Sequence, residues 1–155
     1  MSDFELELDC WLRKNGFVCD VEFDDDFGYN IETNTLYIGT LDYDEVRTWF
    51  EQFLYEYGCE YCGFYYPVMC LLHELGHKKT IANFTPTELL FLSVKKEMLD
   101  ERMEMQEAMF EYWELADEFA ANMWVVDFIN SNIEAVEELC GIYLMYWNDF
   151  VKEMY

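Results

Sequence analysis

Met69-Cys70-Leu71-Leu72-His73-Glu74-Leu75-Gly76-His77-Lys78, MCLLHELGHK, holds both histidines of a chain of 155 residues. On a helix, positions 73 and 77 lie one turn apart on the same face. Two imidazoles so placed can grip one divalent ion, and zinc is the usual choice for nitrogen donors on this spacing. Glu74 follows the first histidine directly. From there its carboxylate can reach a zinc-activated water without ligating the metal, the position of a general base. Gly76 carries no side chain, so another element can come close between the two histidines.

A catalytic zinc needs a third protein ligand and one open position. No third histidine exists, so an acid or a cysteine must serve. Downstream, EYWELADEFAANMWVVDFIN (111–130) offers Glu114 and Glu118. Glu118 and Asn122 share a helix face. Glu118 could ligate the metal while Asn122 accepts the remaining ring N–H of a ligand histidine. Ala120 and Ala121 are small enough to let this helix approach the one that carries the histidines.

His73-Glu74-Leu75-Gly76-His77 followed by Glu118-x-x-Ala121-Asn122 resembles the gluzincin metallopeptidases, most closely the ImmA/IrrE-like and small phage-borne zinc peptidase domains. Trp124 and Val125 continue the likeness, which spans residues 17–130. It implies a zincin-like fold, Zn2+ held by His73, His77 and Glu118, Glu74 as the catalytic base, and cleavage of a protein regulator of a phage or mobile element. It favours Glu118 over Glu114, which stays as the alternative third ligand. It also implies short strands before the histidine helix, lying along the substrate cleft. Such enzymes stabilise the oxyanion with a histidine or tyrosine. Here a tyrosine or arginine must do so, and 12 tyrosines leave the choice open.

The bulk of the chain bounds these readings. Its length suits one domain, residues 1–155, with a real core. Apolar residues make up 53%, too many for disorder despite the charge. No apolar run reaches a membrane span, and the acidic start MSDFELELDC has no signal-peptide pattern, so the cytoplasm is expected, a host's if the chain is phage-encoded. Acids number 33 against 9 Lys and Arg, for a net charge of −24. The excess is spread along the chain. Such a surface repels phosphate backbones and anionic lipid and attracts basic proteins. A second functional class follows: an acidic, non-catalytic interaction protein that mimics nucleic acid and occupies a basic groove. A pure mimic, however, has no use for Glu74.

Capping boxes at Ser2–Glu5, Asp42–Glu45, Thr85–Glu88 and Ser131–Glu134 predict four helix starts. Asn15-Gly16 ends the first helix. Alternation of Phe17, Cys19, Val21 and Phe23 predicts a strand, and YNIE and TLYIG two more joined at Thr33-Asn34. Pro67 suits the first turn of the histidine helix. Between Thr87 and Cys140 there is neither Gly nor Pro, and breaks are expected near Leu99-Asp100, near Tyr112-Trp113 and at Asn130–Asn132. Gly141 should end a short helix before a final one. The fold class is α+β: a small antiparallel or mixed N-terminal sheet and a helical body.

Other residues admit competing roles. Cys59-x-x-Cys62, Cys70 and His73 have the spacing of a structural zinc site, though that would strand Glu74 and His77. Cys70 as a core residue, with Cys59 and Cys62 in a loop, is the simpler reading. EFDDDF (22–27) lacks the ligand pattern of a calcium loop and reads as a solvated turn. Met98, Met103, Met105 and Met109 are expected to fill core.

Overall fold

The computed structural model describes residues 2–40, 44–59, 65–102 and 106–154. In chain order the elements are α1 (Asp3–Lys14), β1 (Asp20–Asp24), β2 (Gly28–Asn30), β3 (Thr35–Gly39), α2 (Asp44–Glu56), α3 (Tyr66–Thr80), α4 (Pro86–Asp100), α5 (Gln106–Trp113), α6 (Ala116–Ser131) and α7 (Ile133–Met154). The α+β class holds: a small sheet and seven helices among the described residues.

The sheet is mixed, in the order β1-β3-β2. β3 pairs parallel with β1 and antiparallel with β2. Its central place fits its sequence, since Leu36 and Ile38 are fully buried. β1 starts at Asp20, three residues after the expected Phe17. Phe17 is buried all the same, stacked on Trp11 at 5.8 Å, so its burial reflects packing on α1 rather than strand periodicity. The β2–β3 turn closes at Asn34, whose φ of 51° is left-handed, a conformation asparagine tolerates better than most residues. The Asn34 side chain accepts from Tyr29 Oη and from Lys78 Nζ, both at 2.6 Å, and donates to the Val18 carbonyl at 2.9 Å. One turn residue thereby ties the sheet to α3.

α3 lies at the centre. Val68, Met69, Leu71, Leu72 and Leu75 are fully buried, and the helix touches the sheet, α6 and α7. A helix apolar nearly all round belongs in an interior. α1 packs on α7 through Phe4, whose ring meets Tyr143 and Trp147 at 5.0 Å and Phe150 at 5.1 Å. Trp11 Nε1 donates to the Ala135 carbonyl at 2.8 Å. Two of the expected capping boxes, Ser2–Glu5 and Thr85–Glu88, are formed reciprocally. Asp42 lies outside the described residues.

Three expectations are corrected. Gly141 does not end a helix, because α7 runs through it to Met154. Neighbours Leu139, Ile142 and Tyr143 are buried, and that burial outweighs the ~1 kcal/mol a mid-helix glycine costs. Ser131 caps nothing: it is the last residue of α6, and the break falls at Asn132. Met98 fills no core. It is 63% exposed, beside exposed Leu90, Phe91 and Val94 on α4. Met103 and Met105 lie outside the described residues. Among the described residues no helix is long and apolar enough to cross a membrane.

Candidate metal centre

His73, Glu74 and His77 all lie on α3, and Glu118 and Asn122 on α6. The two helices meet at Gly76. A Cβ there would stand 2.5 Å from the Ala121 carbonyl oxygen, closer than any real contact. The glycine thus lets the α6 backbone lie against α3 one residue from His77. That approach sets Glu118 opposite the two imidazoles.

Glu118 Oε2 lies 2.8 Å from His73 Nε2 and 2.8 Å from His77 Nε2, and the two Nε2 atoms are 3.1 Å apart. These three residues could hold a metal ion, their donor atoms all falling within 4.8 Å of one another. Zinc ligands at about 2.0–2.1 Å in a tetrahedron stand roughly 3.3 Å apart, so this triangle matches one face of such a site, slightly contracted. The donor set, two imidazoles and one carboxylate, also suits zinc and leaves a fourth position.

The surroundings orient each donor. His73 Nδ1 donates to Asn122 Oδ1 at 2.6 Å, which leaves Nε2 for the cluster. Asn122 is almost wholly buried. The second oxygen of Glu118, Oε1, accepts from Lys96 Nζ at 3.0 Å. Lys96, on α4, also pairs with Asp117 and sits over the Tyr112 ring, 5.4 Å from its centroid. One carboxylate oxygen therefore faces the histidines and the other a lysine.

Electrostatics follow from these distances. Burial works to raise the Glu118 pKa, but His73 and His77 prevail and hold it well below the ordinary carboxylate range. Burial works to lower that of His73, and the Glu118 charge overrides it, giving about 9. Glu74 has no such close partner, and burial pushes its carboxyl above the usual value, partly opposed by His73 and His77. Burial also acts against the Lys96 ammonium, which Glu118 and Asp117 nonetheless hold above the ordinary lysine value. The Tyr112 phenol is pushed up to about 12, by burial first and then by Glu118.

A cavity of about 370 Å³ opens on this cluster, lined by His73, Glu74, Tyr112, Glu118 and Asn122 among others. The sheet contributes Asp26 and Phe27 from the turn before β2, not the length of a strand. Glu114, the alternative ligand, is absent from the cluster. It falls in the break between α5 and α6, exposed to solvent. Cys70 is buried and Cys59 half-buried, while Cys62 lies outside the described residues. His73 faces His77 and Glu118, so it is committed away from the cysteine pattern. Lys96 was invisible to motif reading, since nothing in the spacing of SVKKEM distinguishes it from a surface lysine. Comparison of the chain with protein-family models, with curated proteins and with solved structures gives no match.

Proposed function

We propose that the protein is a zinc metallopeptidase of gluzincin type on a zincin-like fold, acting on a peptide bond in a protein substrate. The observation that carries this reading is the convergence of Glu118 Oε2 on both Nε2 atoms, with Glu74 beside them in the same cavity. His73, His77 and Glu118 would hold Zn2+. The ion would supply Lewis acidity to water and to the scissile carbonyl. Glu74 takes a proton from the attacking water and passes it to the leaving amine as the C–N bond breaks. Burial raises its pKa above the ordinary carboxyl value, which makes it a stronger proton acceptor than a solvated carboxylate. Of the described tyrosines lining the cavity, Tyr66 is buried under Arg47. Tyr112 is half-buried and keeps its proton, so its hydroxyl is the donor for the oxygen that gains charge. The carboxylates facing the cavity and the net charge of −24 favour a basic substrate such as a phage or mobile-element regulator.

The second reading, an acidic interaction protein on the same scaffold, draws on that charge alone. One experiment separates the two. Bound zinc is measured in wild type and Glu74→Gln, and both are incubated with a mixture of basic peptides and analysed by mass spectrometry. Zinc in both proteins with cleavage only by wild type supports the peptidase. Zinc in both with cleavage by neither favours the interaction protein. A wild type without zinc removes the metal centre itself.

A further inference from the structure

A second groove, of about 360 Å³, adjoins the metal cavity and shares its Trp49 and Trp113 with it. Trp49, Gln52, Phe53 and Glu56 follow the spacing that puts side chains on one face of α2. Phe110 and Trp113 come from the end of α5, Glu114 from the break that follows it, and Phe119 follows the proposed ligand Glu118 directly on α6. The rings form a continuous surface. Trp49 lies 5.0 Å from Trp113 and 5.4 Å from Phe53, and Phe53 lies 5.9 Å from Phe119. Tyr57, Phe110 and Phe119 remain 45%, 36% and 39% exposed, much apolar ring surface to leave to water. The carboxylates at its rim, Glu56 and Glu114, are exposed. Among the described residues the cations seated over rings are Arg47, Lys78, Lys79 and Lys96, over Tyr66, Tyr29, Phe17 and Tyr112. The groove's own rings thus carry no cation from the described part of the chain.

Aromatic faces with carboxylates beside them match one chemical class closely. A guanidinium stacks flat on rings and donates in a planar fork to carboxylates, whereas an ammonium, a compact hydrated point charge, has neither the flat face nor the fork. The geometry points to this groove as the subsite for an arginine side chain of the substrate, held next to the bond presented to Glu74. This assignment rests on the peptidase reading for its position, but not for its chemistry. The wall shared through Trp49 and Trp113 makes the groove and the metal cavity neighbours, so one extended peptide can occupy both. Its size, near the lower end of ligand pockets, suits one side chain rather than a folded partner.

The test is calorimetric binding of six-residue peptides to the zinc-treated Glu74→Gln protein, with one arginine replaced in turn by lysine or by uncharged citrulline. The arginine peptide should bind at least about tenfold tighter than the citrulline peptide, with lysine between them. Substituting both Glu56→Gln and Glu114→Gln should reduce that ratio to roughly threefold or less, with unchanged circular dichroism. Equal binding of arginine and citrulline peptides, or binding of neither, would overturn the subsite. Zinc content of the same samples separates the two ideas: an arginine preference without zinc keeps the groove and removes the peptidase, and zinc without the preference does the reverse.

Discussion

Asn122 and His73 are joined across two helices by a 2.6 Å hydrogen bond from Nδ1 to the amide oxygen. An amide oxygen only accepts, so the bond fixes which ring nitrogen carries the proton and which faces the cluster. Asn122→Ala removes the acceptor and lets the His73 ring rotate. Zinc affinity should fall by roughly 10- to 100-fold, in line with other partners of ligand histidines. Competition titration with a chromogenic chelator measures it. Unchanged affinity would mean that packing against Phe50, 5.6 Å away, holds the ring without help.

Gly76→Ala should destabilise the chain, although alanine is the better helix former. Propensity alone favours alanine by about 1 kcal/mol. Against that, the new Cβ meets the Ala121 carbonyl oxygen at 2.5 Å, a backbone atom that cannot rotate aside. Parting α3 from α6 costs about 1–3 kcal/mol and wins. The urea midpoint should fall, and zinc affinity with it, because Glu118 retreats with α6. A higher midpoint would show that the helices can separate freely.

Stability of the chelator-treated protein should decline in mildly alkaline solution. The His73 pKa in the folded chain is about 9, above its ordinary 6.5. Its contribution is therefore complete below 6.5 and is lost as the pH rises through about 9. Glu118, held low, stays ionised across that window, as does Lys96 in its cationic form. The gap in urea midpoint between wild type and Glu118→Gln, both with chelator, should accordingly narrow from pH 6.5 to pH 9. Added zinc should abolish the narrowing, since metal and proton compete for the same Nε2 atoms. A gap that widens with pH contradicts the assigned ion pair.

Tyr112→Phe tests the proposed oxyanion donor. It removes one hydroxyl and keeps the ring under Lys96. We expect kcat to drop about 100-fold or more, with zinc content and KM little changed. A change in KM alone would make Tyr112 a substrate contact rather than a stabiliser of developing charge.

Much of the site was legible as one-dimensional spacing, because a helix converts spacing into a shared face. His73 and His77 are i and i+4, and so are Glu118 and Asn122. The formed capping boxes at Ser2 and Thr85, and the helix ends at Asp100 and Trp113, are also local, settled by neighbours within one turn. Gly141 shows the limit of local signals: a usual stop residue lies inside a 22-residue helix because its neighbours are buried in the core.

The amino-acid sequence by itself determined the two half-sites, His73-Glu74-x-x-His77 and Glu118-x-x-x-Asn122, since each depends only on 3.6 residues per turn. Tertiary structure decided their meeting. The contact of Gly76 with Ala121 sets α6 against α3, and the α5–α6 break leaves Glu114 in solvent and Glu118 on the helix. It also brought Lys96, 22 positions before Glu118, onto the Oε1 atom of that carboxylate, and it joined α2 to the end of α5 through Trp49 and Trp113. Such pairings depend on how buried faces of separate elements fill shared volume, and no periodicity within one element encodes them.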